Sequence, residues 1–210
     1  MMKQLLAFLF VLILFLGISM QAHATLELRG DGTSVHGTYR LIYDTDFNIT
    51  WYDYTKSGSS WQNQMSWASD LWVDLGGTIY KDWRLPTALN QDGTGPCAGY
   101  NECAGSEMGH LYYTELGNSA GGPLTNKGAF LNLQTGLYWS GTEYGPDDAW
   151  PFYTIDGLQS LGESGKYRSY YGIAVRPGDV AVVPEPISSI LFLTGGATLI
   201  GKCYMKRKKS

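Results

Sequence analysis

The spacing of one glutamate and one histidine gives the first hint of chemistry in this 210-residue chain. Glu107 and His110 stand three residues apart, and on a helix both would lie on one face, as in half of a di-iron site. A complete site needs a second copy of this Glu-x-x-His motif, and the sequence contains none. We therefore interpret His110 as a structural hydrogen-bonding residue between a helix and a sheet.

Asp44 and Asp46 form a DxD pattern that allows two interpretations. Their carboxylate oxygens suit calcium, which prefers hard oxygen ligands. More often, aspartates in this position close a turn by bonding to their own backbone. The turn is the favoured interpretation, so no metal ligand and no cofactor are assigned, and calcium stays open as an alternative.

A second group of acids comprises Glu143, Asp147 and Asp148. A glycosidase needs two carboxylates about 5–10 Å apart, but adjacent aspartates after a Gly-Pro pair favour a solvated loop. The sequence has no P-loop and no zinc signature. We therefore expect the protein not to be an enzyme.

Hydrophobic periodicity predicts the elements that position these residues, and together they indicate an α+β fold. Residues 37–51 alternate and pause at Asp44, which predicts a hairpin. Apolar residues at helical spacing from Trp61 to Leu75 predict a helix that Gly76 and Gly77 end. The other predicted elements are a short helix over 106–117, strands over 136–144, 149–155 and 170–177, and a turn at 156–157.

The N-terminus is typical of a secretory signal peptide over residues 1–24. Lys3 precedes an uninterrupted apolar run over residues 5–18, and Ala22 and Ala24 supply the small residues that signal peptidase needs. An uncleaved membrane anchor is the alternative. The short run followed by a cleavage site favours removal, so the exported domain is expected to span residues 25–180.

The C-terminus, residues 181–210, ends in an apolar stretch and a basic cluster. Residues 187–205 reach nearly the thickness of a bilayer as a helix, with Lys202 able to extend to the interface. A basic cluster beyond it stops transfer and holds the end in the cytoplasm. That cluster consists of Lys206, Arg207, Lys208 and Lys209.

A Pro-Glu-Pro triplet (Pro184, Glu185, Pro186), the apolar helix and the basic end resemble the PEP-CTERM sorting signal. The resemblance implies that an exosortase cleaves the tail after export by the Sec route and transient insertion in the inner membrane. It further implies release to the cell surface or extracellular matrix of a Gram-negative bacterium. The alternative is an ordinary one-span surface protein whose prolines form a stiff stalk.

Cys97 and Cys103 are the two cysteines outside the tail. In an exported chain they are expected to form a disulfide. Zinc binding is the alternative, but two cysteines without nearby histidines make a poor zinc site.

The charge of the chain limits its partners. Residues 25–183 contain 18 acidic and 9 basic residues, a net charge of −9, which excludes nucleic acid and anionic membranes as expected partners. In this acid-rich region Arg84 and Arg176 are expected to anchor buried ion pairs. All seven Trp and 14 of the 15 Tyr also lie here, and their amphipathic rings suit both a core and sugar stacking.

Five ordered blocks, DWRLPT, SEMGHLYYTELGN, YWSGTEY, AWPFYTIDGLQ and GIAVRPGDV, resemble the DUF1566 or Lcl C-terminal domain. The resemblance covers most of residues 41–180 and implies a C-type-lectin-like fold without supplying an activity. Such a fold usually binds through its long loop and adjacent strands, although the calcium–sugar motifs EPN, QPD and WND are missing here. The candidate ligand contacts are Asn90, Asp92, Glu102, Trp139, Glu143, Asp147, Asp148 and Trp150.

Two functions follow as expectations. In the first, the exported domain binds carbohydrate, namely exopolysaccharide, through aromatic platforms such as Trp139 and Trp150. In the second, it is a structural matrix protein that associates with other proteins and recognises no sugar. Exposed tryptophans would favour the first, while buried tryptophans with a self-complementary patch would favour the second.

Overall fold

The computed structural model describes residues 26–180. The predicted signal peptide, 1–24, lies outside the described residues. The predicted sorting triplet, 184–186, apolar helix, 187–205, and basic tail, 206–209, lie outside them as well. Among the helices of residues 26–180, none has the length and apolar character needed to cross a membrane.

The described domain is an α+β fold built on one sheet of eight strands, in the order β5-β4-β1-β2-β3-β8-β6-β7. Strand β6 pairs with β8 in parallel, and the other pairs of the sheet are antiparallel. The strands are β1 (Leu26–Ser34), β2 (Gly37–Asp44), β3 (Ile49–Ser59), β4 (Val73–Leu75), β5 (Thr78–Tyr80), β6 (Leu137–Glu143), β7 (Ala149–Tyr153) and β8 (Tyr170–Pro177).

Two helical segments cover this sheet. Helix α1 spans Trp61–Asp70, and α2 (Glu107–Gly109) continues directly into a π-helical turn (His110–Glu115). A short 3-10 helix, Asn101–Gly105, precedes α2. These segments confirm the second helix predicted over 106–117. The Ser106 hydroxyl caps its start by accepting the Gly109 N–H.

The hairpin predicted around Asp44 is confirmed in β2 and β3, where Ile42 pairs with Trp51. Asp44 Oδ1 accepts the backbone N–H of Asp46 at 3.1 Å and of Phe47 at 3.0 Å. One carboxylate oxygen of Asp44 therefore closes the turn, which is the role favoured for the DxD pattern from the sequence.

The predicted helix from Trp61 to Leu75 is too long. Helix α1 ends at Asp70, and Val73–Leu75 forms β4, which pairs with β1 and with β5. Gly76 and Gly77 have φ of +61° and +87° and close the β4–β5 hairpin rather than the helix. Strand β1 was not predicted from the sequence. Its pairing with residues 73–75 outweighs the helical spacing of Val73 and Leu75.

Both faces of the sheet are buried. Consecutive residues of a strand point to opposite faces, yet Leu41 and Ile42, like Trp51 and Tyr52, are fully buried. Ile42 and Trp51 pack under α2 and the π-helical turn, while Leu41 and Tyr52 pack with β4 on the other face. The sheet is thus the central layer of the domain. The loops that connect its strands are therefore the parts that could form a binding site.

Candidate functional site

The loop that carries several predicted contacts is fixed to the body by a disulfide and by one glutamine. Cys97 and Cys103 are bonded, as predicted, with their Cα atoms 5.5 Å apart. The buried Gln159 side chain donates to the carbonyls of Ala88 at 3.1 Å and Cys97 at 3.0 Å. No pattern in the sequence marked Gln159 for this role, since the bonds cross about 70 residues of chain.

Asn90 and Asp92 lie on this loop and make contacts within it. The Asn90 amide donates to the Thr94 hydroxyl at 3.0 Å, and Asp92 Oδ1 accepts the Thr94 N–H at 2.9 Å. The hydrogen bond from the Thr94 hydroxyl, followed by that from its N–H, lowers the pKa of the exposed Asp92 carboxyl. Both predicted contact residues therefore shape a tight turn, as short polar side chains commonly do.

The tryptophans predicted as sugar platforms are buried, so that part of the prediction is wrong. Trp139 is 0% exposed and Trp150 is 6% exposed. Trp139 packs with Trp61 of α1 in a core cluster, its ring lies tilted against Tyr170 with centroids 4.7 Å apart, and its indole N–H donates to the Ser59 carbonyl at 3.2 Å. Strands β6 and β7 present these rings to the core rather than to the surface, so neither can stack on a polymer.

Two loops, 143–148 and 163–168, form the polar surface beside these buried rings; we call them the tyrosine loop pair. Asp148 and Gly165 form a backbone bridge between the loops, and the Ser164 hydroxyl donates to Asp148 Oδ1 at 2.6 Å. The structure therefore brings the predicted residues Glu143, Asp147 and Asp148 together on this surface.

Two exposed tyrosines distinguish the tyrosine loop pair. Tyr144 is 63% exposed and Tyr167 is 82% exposed. The Tyr144 ring packs edge-on against Trp150, with centroids 6.0 Å apart. A Cβ at Gly165 would lie 2.6 Å from Tyr167 Cε1, so the Tyr167 ring lies over the glycine that joins the loops. Neither tyrosine was predicted to be a contact residue, although Tyr144 directly follows Glu143.

Lys166 fastens the tyrosine loop pair. Its Nζ bonds the Glu143 carboxylate and donates to the carbonyls of Gly145 at 2.6 Å and Pro146 at 2.9 Å. The same ammonium lies 4.7 Å from the ring centroid of Trp61. Lys166 pairs with Glu143, and Ser164 donates to Asp148. Of these three acids, the exposed Asp147 is the one bonded to neither Lys166 nor Ser164 through its carboxylate.

An open pocket of about 360 Å3 is lined by Gly58, Leu137, Ser169, Tyr170 and Tyr171. Its size falls within the range of small-ligand pockets. Tyr170 follows Tyr167 by three residues, so their Cα atoms are at most about 11 Å apart. The Tyr170 hydroxyl donates to the Glu163 carbonyl at 3.1 Å, and burial raises the pKa of Tyr170.

The Glu107–His110 pair does not form a common site. Glu107 is buried and accepts two hydrogen bonds from Arg84, at 2.8 and 2.6 Å, and these bonds raise the pKa of Arg84. The predicted buried ion pair of Arg84 is therefore confirmed. For Arg176 the prediction is wrong, because its guanidinium lies 5.1 Å from the ring centroid of Tyr80 and donates to backbone carbonyls.

His110 instead joins Asp44, Asp46 and Glu115. Its Nε2 lies 3.1 Å from Glu115 Oε1, 3.8 Å from Asp44 Oδ2 and 3.9 Å from Asp46 Oδ2. Asp44 is 0% exposed, and its Oδ2 has no hydrogen-bond partner. Burial raises the pKa of the Asp44 carboxyl. The sequence patterns had placed Asp44 and Asp46 in one motif and His110 in another, and Glu115 in neither.

No protein-family model, no curated protein and no solved structure matches this chain. The resemblances to the DUF1566 domain and to the PEP-CTERM signal rest on sequence motifs and stay predictions. Function has to be inferred from the surface itself.

Proposed function

We propose that this protein is exported to the cell surface or extracellular matrix and binds a neutral polysaccharide through the tyrosine loop pair. The pair of exposed rings, Tyr144 and Tyr167, on loops fastened by Lys166 is the observation that carries the proposal. Export, exosortase cleavage at Pro184-Glu185-Pro186 and a C-type-lectin-like origin of the domain are parts of the proposal that rest on the sequence motifs.

Stacking supplies the main attraction. A tyrosine ring offers an apolar face and a polar hydroxyl, which suits the alternating C–H and O–H groups of a sugar. The Tyr144 ring already packs against Trp150, so its side chain loses little further conformational freedom when a ligand binds. Pre-ordered contact residues raise affinity because less side-chain entropy is lost.

Hydrogen bonding and charge restrict the ligand class. The solvent-facing carboxylate of Asp147 accepts from sugar hydroxyls, while a net charge of −9 over residues 25–183 repels sulfated or uronic-acid-rich polymers. A neutral exopolysaccharide meets both conditions. The pocket lined by Tyr170, three residues after Tyr167 in the chain, gives a polymer a second contact.

The test is equilibrium binding of the full chain, purified in detergent, to a panel of neutral and anionic polysaccharides. We expect saturable binding to a neutral polymer that Tyr144→Ala and Tyr167→Ala each weaken about tenfold, as for central contact residues. Tyr100→Ala is the matched control, because Tyr100 is 37% exposed but lies on the disulfide loop. Equal affinities for wild type and both loop-pair variants would overturn the proposal.

A structural role without sugar recognition has one observation in its favour. Strand β5 is an edge of the sheet, and its Ile79 is 57% exposed. An unpaired edge with an apolar side chain is suited to adding a strand from another chain. Self-association that Ile79→Lys abolishes, together with no binding to any polysaccharide, would favour this alternative.

A further inference from the structure

We propose that Asp44, His110 and Glu115 bind one divalent transition-metal ion of the zinc class. This site is separate from the tyrosine loop pair, and it departs from the sequence-based expectation that the protein holds no metal. Three ligand atoms, one from each residue, all lie within 4.8 Å of one another. They come from two distant elements, the end of β2 and the π-helical turn.

Two of the three distances between these atoms are close to the spacing around a tetrahedral ion, and the third, between the Asp44 and Glu115 oxygens, is at most 4.8 Å. Zinc bonds of about 2.1 Å place neighbouring ligand atoms about 3.4 Å apart. His110 Nε2 lies 3.1 Å from Glu115 Oε1 and 3.8 Å from Asp44 Oδ2, values on either side of that spacing. Side-chain adjustments of a few tenths of an ångström bring both to it.

Asp44 Oδ2 is the observation that points to a ligand. Asp44 is fully buried, its Oδ2 has no hydrogen-bond partner, and His110 Nε2 is 3.8 Å away. The His110 Nε2 carries at most one proton, and Glu115 is the nearer acceptor for it. A buried carboxylate oxygen without a partner is costly, whereas a cation bound between His110 and Glu115 would also satisfy Asp44 Oδ2.

The chemical types of the three ligand atoms indicate which ion they would bind. Calcium and magnesium prefer sets made of oxygen atoms alone, and calcium takes six to eight of them. One imidazole nitrogen with two carboxylates is a set that zinc and its neighbours in the transition series accept. The proposed ion therefore differs from the calcium considered for the DxD pattern.

The surroundings hold the ligands in place. Asp44 Oδ1 accepts the N–H groups of Asp46 and Phe47, which fixes the carboxylate plane and leaves Oδ2 directed at His110. The Phe47 ring stacks on the imidazole with centroids 4.1 Å apart and planes 21° apart. Such outer contacts orient metal ligands and keep them from rotating away.

Asp46 marks the open side of the site. Its side chain is 50% exposed, and its Oδ2 lies 3.9 Å from His110 Nε2. This carboxylate, or a water beside it, supplies the fourth position. The Gln91 side chain donates to the Asp46 carbonyl at 2.9 Å, so the loop that leads to Cys97 contacts the β2–β3 turn beside the site.

The test titrates metal into the full chain, purified without a tag and freed of metal by EDTA. We expect one zinc ion to bind per chain by calorimetry, more tightly than calcium, and Asp44→Asn to weaken it by at least about tenfold. An asparagine at position 44 retains the oxygen that accepts the two turn N–H groups, so this variant keeps the hairpin. Visible absorption of bound cobalt(II) gives a second readout, which His110→Gln is expected to remove.

His36→Ala is the matched control. His36 Nε2 already accepts the Trp67 indole N–H at 3.0 Å, and burial lowers the pKa of His36, so it offers no free ligand atom there. Its removal is expected to leave zinc binding unchanged. If Asp44→Asn does not fold, Glu115→Gln takes its place. Absence of saturable zinc binding by the wild type, or equal binding by the wild type and the ligand variants, would overturn the proposal without touching polysaccharide binding.

Discussion

The Lys166 ammonium bonds the Glu143 carboxylate and lies 4.7 Å from the ring centroid of Trp61. This contact links the tyrosine loop pair to helix α1, so a surface loop is fixed by a core tryptophan. Two backbone carbonyls, of Gly145 and Pro146, complete the coordination of the ammonium. The exposed rings beside it are thereby presented on an ordered support.

Lys166→Met is expected to lower the free energy of unfolding by about 1–3 kcal/mol, because a charge-assisted hydrogen bond and a cation–π contact are lost. It is also expected to weaken polysaccharide binding, since Tyr144 and Tyr167 lose their support. Urea unfolding measures the first effect, and polymer titration the second.

Lys81→Met is the control for this substitution. Lys81 is exposed, so its replacement is expected to change stability by no more than about 0.5 kcal/mol. A Lys166→Met variant as stable as Lys81→Met would show that the ammonium does not fasten the loops.

Arg84→Met is expected to destabilise the fold by about 2–4 kcal/mol. It leaves the Glu107 carboxylate, which is only 5% exposed, without its bidentate partner. A double variant, Arg84→Met with Glu107→Leu, is expected to recover part of that loss, because no buried charge then remains unpaired. Equal losses from the single and the double variant in chemical denaturation would contradict this account of the pair.

Alkaline pH is expected to destabilise the domain through Tyr138. Burial raises the pKa of Tyr138 to about 12, so between pH 10 and pH 12 the unfolded chain has lost this proton while the folded chain keeps it. The contribution of Tyr138 to the free energy of unfolding is therefore fully present below pH 10. It falls by up to about 1.4 kcal/mol per pH unit as the pH rises towards 12.

The measurement is the free energy of unfolding at several pH values above 9, for the wild type and Tyr138→Phe. The variant is less stable at neutral pH because it leaves the Gln134 N–H without the Tyr138 hydroxyl, 2.8 Å away in the wild type. Its stability is expected to fall less steeply between pH 10 and pH 12. Identical slopes for the two proteins would refute the assignment.

Removal of the disulfide is expected to cost about 2 kcal/mol, the loop-closure value for a ring of this size. The change is Cys97→Ala with Cys103→Ala, compared by urea unfolding with the oxidised and the dithiothreitol-treated wild type. The double variant and the reduced wild type are expected to agree. A count of two free thiols among these cysteines in the folded, untreated protein would contradict the bond.

Local sequence signals were enough to predict a good part of the fold. Strand β8 was predicted at its observed bounds, and the β2–β3 hairpin and the second helix were predicted closely, because each depends on alternation or on local capping residues. Strand β1 was missed, since its alternation is interrupted by a bulge between Leu28 and Gly30. Strand β4 was missed because Val73 and Leu75 continue the helical spacing of α1.

The candidate sites depended on contacts that no local pattern reports. Whether Trp139 faces solvent is decided by α1, which packs on it from a distant part of the chain. His110 and Asp44 are likewise far apart in the sequence, so each residue was interpreted with its sequence neighbour instead. Loop acids such as Glu143 were identified, but the exposed rings next to them were not.

Oxidative footprinting of the full chain by mass spectrometry, with and without saturating neutral polysaccharide, shows directly whether the loop-pair tyrosines contact the polymer. We expect protection of Tyr144 and Tyr167, while the exposed Tyr100 and Trp72 keep their oxidation rates. Unchanged oxidation of both loop-pair tyrosines under conditions in which the polymer is bound would contradict this expectation.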